Sequence, residues 1–127
     1  MNTDILTSAG VDINKGLELL GDMDMYNDTL KDFLTESQTR LPNLINYYNQ
    51  GDMENYGILA HAMKSDSKYL GFTKLAEMSY DHEMAGKNND KAFADQHVRE
   101  LLEEANRIIG VVKQYLGMYV IIWNLVP

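Results

Sequence analysis

The chain has no cysteine among its 127 residues, which excludes disulfide staples, thiol catalysis and thiolate metal sites. It has two prolines, Pro42 and the final residue Pro127, so little interrupts helix formation. Positive charge is scarce: 11 Lys and Arg against 19 Asp and Glu give a formal net charge of -8. Such a surface repels nucleic acid and anionic lipid, so neither is an expected partner. No apolar stretch reaches the roughly 18 residues of a membrane span. No basic-then-apolar leader opens the chain, so no signal peptide is expected. No glycine-rich nucleotide loop is present, so self-phosphorylation from ATP has no visible basis. The composition fits a reducing cytoplasm, and that is the expected location.

Most of the chain carries apolar residues at helical spacing, with no alternating run long enough for a sheet before the tail. Residues 1–10 read as a loose leader. Asp12 is placed to cap a short helix through Leu20, ended by Gly21. Asp22 or Asp24 then opens a long helix with an apolar stripe of Tyr26, Leu30, Phe33, Leu34, Leu41, Leu44, Ile45 and Tyr48. Pro42 falls inside it and should bend or interrupt it. Asp52 is an N-cap candidate for a helix that stops near Gly71, and Thr73 for one that runs to about Ala85 with Phe72, Leu75, Ala76 and Met78 inward. The polar turn Gly86 to Asp90 precedes a last helix to Leu116. Four amphipathic helices with short connections predict an all-α, antiparallel four-helix bundle with a short extra N-terminal helix. The bundle should span 11–116. Residues 117–127 read as an apolar, β-prone tail expected to pack back onto it; a dimer or partner contact and the start of a truncated segment are the alternatives.

The densest chemistry lies on the helix expected between Asp52 and Gly71. At about 100 degrees per residue, Met53, Tyr56, Ala60, Met63, Ser67 and Leu70 share a core-facing side, and His61 lies well off it. Lys64 and Lys68 fall one and two turns beyond His61, and Gly57 one turn before it. An outward imidazole beside two ammonium groups, on a surface kept low by glycine, suits a nucleophile that receives a dianion. The reading is phosphoryl transfer through His61, with Lys64 and Lys68 stabilising the charge. A solvated surface histidine is the plain alternative.

Two other histidines invite a metal reading. A carboxylate-bridged metal bundle places Glu three residues before His, and those positions hold Ile58, Ser79 and Ala94. No metal or other cofactor is therefore expected. His97 reads as a ring at a core edge and His82 as a half-buried ring with one hydrogen-bond partner. Ser65 lies within reach of His61, but no carboxylate stands out to orient the imidazole and no oxyanion hole is legible, so a serine nucleophile is not supported.

The run from Ala60 to Gly71 resembles the signature of histidine-containing phosphotransfer (HPt) domains. His61, Met63, Lys64, Ser67, Leu70 and Gly71 match the pattern; Ser65 stands where the family commonly has glycine, and His82 where it usually has an aliphatic residue. Weaker similarity covers most of 10–116. The resemblance implies a carrier, not an enzyme. His61 would accept a phosphoryl group from a receiver-domain aspartate and pass it to another receiver domain, of a response regulator or a hybrid histidine kinase, with the metal ion left to that partner. The initiating Met and single-domain length point to a free-standing carrier. An adaptor without phosphotransfer and a metal- or ligand-binding bundle are the alternatives.

Overall fold

A computed structural model describes residues 1–117. Among them all regular structure is helical: α1 (Asp4–Ser8), α2 (Ile13–Leu20), α3 (Met23–Gln50), α4 (Met53–Leu70), α5 (Thr73–Lys87) and α6 (Lys91–Tyr115). Helices α3 to α6 follow one another through short turns and form the four-helix bundle, with α2 packed on α3 and α4 and α1 on α6. None of these helices is long and apolar enough to cross a membrane.

Aspartates start four of the helices. Asp12, Asp22, Asp52 and Asp90 each accept a backbone N–H three residues on, satisfying one of the orphan donors of the first turn. The start of α5 departs from expectation. Its N-cap is Phe72, with no side-chain bond, and Thr73 is already helical. The Phe72 ring is buried edge-on against Phe33 at 5.1 Å, so core packing sets this boundary.

Three further expectations are changed or narrowed. The leader contains α1, whose Leu6 is fully buried, and Arg107 of α6 donates to the Ala9 carbonyl at 3.0 Å. Helix α3 runs unbroken through Pro42; both Pro42 and Gln38 are exposed, so solvent can satisfy the carbonyl that loses its partner. Gly86 lies in α5, not in a turn, and is buried. The tail expected to pack on the bundle lies, beyond Gly117, outside the described residues.

The stripe expected on α4 is the one buried: Met53, Tyr56, Ala60, Met63, Ser67 and Leu70, joined by Gly57. Tyr26 reaches from α3 to donate its hydroxyl to the Leu70 carbonyl at 2.7 Å, tying the end of α4 to the core. Gly71 then ends α4 in the left-handed region at φ 81°. Its backbone abuts Asp12, whose N–H donates to the Gly71 carbonyl at 2.8 Å; a side chain there would collide with the Asp12 backbone.

Candidate functional site

The site begins with a close helix crossing. Gly57 on α4 and Gly86 on α5 meet without side chains between them; a methyl group on Gly57 would lie 3.0 Å from the Gly86 Cα. The role expected for Gly57 was to keep the surface low for an incoming group. It is instead buried and lets α5 approach. That approach brings residues one turn away on each helix, His61 and Glu83, into contact.

The His61 side chain is 58% exposed, and its Nδ1 lies 2.7 Å from Glu83 Oε2. Glu83 is buried, with a side chain 3% exposed. Lys64 donates to the other oxygen, Oε1, at 2.6 Å, and Lys87 Nζ lies 3.3 Å from Oε2. Burial by itself would push the Glu83 pKa up. Hydrogen bonds from Lys64, His61 and Lys87 outweigh it and hold the pKa at about 2. An ionised carboxylate only accepts, so the shared proton belongs on His61 Nδ1. Among the described residues Nε2 has no protein partner. The Lys64 ammonium also sits 5.4 Å from the centre of the Tyr80 ring, which helps hold it while its side chain is only 15% exposed.

The arrangement is therefore an exposed ring with one nitrogen anchored and the other open, over an ionised carboxylate that two ammonium groups overcompensate. Such a site presents a nucleophile and attracts a dianion. The ring opens onto a hollow of about 540 Å³ bordered by Ile58, Gly86 and Lys87. A larger hollow, about 610 Å³, lies elsewhere, between Lys15, Lys68, Thr73, Glu77 and Asp81.

Lys68 borders that second hollow, not the one holding His61. It is on the same side of α4 as His61, but two turns on, about 10 Å by helical rise. Lys64 is thus brought into the cluster and Lys68 is not. Sequence reasoning missed Glu83 and Lys87, and the expectation that no carboxylate orients the imidazole is corrected by Glu83. A signal existed. Leu75, Ala76, Ser79, His82, Glu83 and Gly86 share the buried stripe of α5, and an acidic residue in such a stripe requires a partner.

The remaining histidines are accounted for by packing. His82 is fully buried, more than the half-burial expected, with Nδ1 2.6 Å from the Tyr56 hydroxyl and its ring edge-on to Phe93 at 5.1 Å. Burial, followed by the neighbouring His97, lowers its pKa to about 4. His97 stacks on Phe93 and lies 3.2 Å from Glu100. No cluster of metal-ligating side chains occurs among the described residues.

The family model for the Hpt domain matches residues 28–110, from the first turns of α3 to late α6, with the His61 cluster inside the match. The chain belongs to the Hpt domain family. Comparison with curated proteins and with solved structures gives no match. Hpt domains are phosphocarriers in histidine phosphotransfer relays, with receiver domains among their partners. The helical bundle is the Hpt fold, and α1 and α2 lie before the matched span.

Proposed function

We propose that this Hpt domain carries its phosphoryl group on His61, accepting it from the aspartyl phosphate of one receiver domain and passing it to another. The observation that carries the reading is the anchored, outward ring: Nδ1 bound to an ionised, buried Glu83 while most of the side chain faces solvent. Glu83 is the positioning residue. By holding the proton on Nδ1 it leaves the Nε2 lone pair to attack phosphorus. The partner supplies the metal ion and the aspartate; the carrier supplies the nucleophile, local positive charge and a docking face, and needs no cofactor of its own.

Charge builds on the phosphoryl oxygens in transit, and Lys64 and Lys87 are the cations that meet it. Lys64 is pinned and part-buried, whereas Lys87, with a side chain 63% exposed, can turn from Glu83 to a phosphoryl oxygen without unpacking anything. Lys68 adds positive field farther along the same face. The receivers belong to response regulators or hybrid histidine kinases, and the exchange takes place in the cytoplasm.

Incubation with phosphorylated receiver domains tests the assignment. Acid-labile phosphate should appear on His61, and His61→Gln should abolish uptake with helix content unchanged. Persistent uptake by that variant would refute the assignment.

A further inference from the structure

Glu83 is a full negative charge where a neutral acceptor would suffice to orient the ring. The difference matters once the ring is phosphorylated, so a role for that charge rests on His61 being the acceptor. The charged groups facing His61 come from two helices: Glu54 and Lys64 from α4, Glu83 and Lys87 from α5. Of these, Glu83 alone bonds a ring nitrogen.

In the forward step the Nε2–P bond forms and the P–O bond to the aspartyl carboxylate breaks, the electron pair leaving with that carboxylate. Nδ1 keeps its proton, so the product ring is an imidazolium. In the outward step a carboxylate oxygen of the accepting receiver's aspartate bonds phosphorus, the Nε2–P bond breaks and its electrons return to the ring. With Nδ1 protonated the leaving group is a neutral imidazole. Without that proton it is an imidazolate anion, a much poorer leaving group. The fate of one proton therefore decides whether the carrier can unload.

We propose that Glu83 retains the Nδ1 proton after phosphoryl transfer, so that phosphorylated His61 persists as an imidazolium, competent to donate, at and above neutral pH. The 2.7 Å contact supplies an opposite charge at hydrogen-bond distance. Such a charge favours the protonated form. Low solvent access on the Glu83 side preserves the effect, and three converging donors keep the carboxylate ionised. Lys87 opposes it by sharing Oε2 with His61. When Lys87 turns to the phosphoryl oxygens, that competition ends and the Nδ1–H bond strengthens. Glu54, on the rim of the same hollow, adds to the negative potential.

The test loads the full chain with phosphoramidate, a small chemical phosphoryl donor, and follows the phosphorylated ring by ³¹P and ¹⁵N NMR as pH is raised. The phosphoryl group should sit on Nε2. Replacing Glu83→Gln should lower the Nδ1 titration midpoint by about one pH unit, the low end for an opposite charge that other cations share. The exposed substitution Lys87→Gln should raise it. Unloading to a receiver domain should stay flat with pH in the parent chain up to its midpoint and fall earlier in Glu83→Gln. An unchanged midpoint in Glu83→Gln, phosphate on Nδ1, or no label on His61 overturns the proposal. If circular dichroism shows Glu83→Gln unfolded, Lys87→Gln decides, and no rise overturns it. Failure of the relay reading looks different: phosphorylated receiver domains would leave His61 unlabelled while phosphoramidate labels it.

Discussion

One substitution made at two glycines should move stability in opposite directions. At Gly86 an added methyl would lie 2.8 Å from both the Gly57 nitrogen and the Met53 carbonyl oxygen. Both are backbone atoms of α4, so no flexible side chain can move aside. The helices must separate by several tenths of an ångström, loosening their most intimate contact. Overpacking of this kind costs about 1–3 kcal/mol. Against rigid backbone the upper part of that range applies, about 2–3 kcal/mol; alanine returns up to about 1 kcal/mol of helix propensity, leaving Gly86→Ala a net loss of about 1–2 kcal/mol. Gly110 lies inside α6, and among the described residues no atom beyond the backbone of its own turns of helix lies within 4 Å of its added methyl. Gly110→Ala should therefore keep the propensity gain, a stabilisation of about 0.5–1 kcal/mol. Urea unfolding at pH 7 measures both, with equal m-values required for the comparison. The Gly86 variant should also load His61 more slowly, because separating α5 from α4 draws Glu83 away from the ring. A Gly86→Ala protein as stable as its parent would refute the claim that this crossing has no room, and with it the account of how Glu83 reaches His61.

Three lysine variants separate the cations: Lys64→Ala and Lys87→Ala should each slow loading from a phosphorylated receiver by about tenfold or more, and Lys68→Ala by much less. Single-turnover rates decide, and a Lys68 effect equal to that of Lys64 would return Lys68 to the transfer step. Acid should destabilise the fold in two stages. His82 is buried neutral with its pKa down at about 4, so below about pH 6.5 the unfolded chain binds a proton the folded chain refuses, and stability falls by about 1.4 kcal/mol per pH unit until about pH 4. Glu83 follows: with its folded pKa at about 2, its contribution is present above about pH 4.5 and is lost as pH falls towards 2. Urea titrations at pH 7 and pH 5 should differ by about 2 kcal/mol from His82, and His82→Leu should abolish most of that difference; an unaltered difference would place the acid sensitivity elsewhere.

What is legible from sequence is what repeats along one helix. The α4 stripe, the outward placement of His61 and two of the four aspartate caps follow from local spacing, because a helix fixes the angular position of every side chain it carries. Asp12 and Asp52 sit one residue before their helices, as expected; Asp22 resolves the choice left open with Asp24, and Asp90, read only as the near end of the last helix, caps it. The start of α5 is misread from sequence because a threonine has local capping chemistry, while the Phe72 ring answers to Phe33, a residue on another helix. That Pro42 does not interrupt α3 has a related reason: its local penalty is met by solvent on the exposed side of a helix whose other side is held by the bundle.

The site is half legible for the same cause. His61 and Lys64 are one turn apart on α4, whereas Glu83 stands 22 residues beyond His61 and joins it only through a helix crossing. That crossing depends on two glycines that, read locally, look like a low surface and a turn. Glycine has no side chain to announce which of its uses applies, and only the partner helix distinguishes them. Glu83 itself breaks the apolar pattern of α5, which is costly for an isolated carboxylate and tolerable only because Lys64, Lys87 and His61 all donate to it. A buried charge that survives at such expense marks the place where helix packing and chemistry depend on the same atoms: removing Glu83 strands two cations, and drawing it back lengthens the 2.7 Å contact that anchors the imidazole.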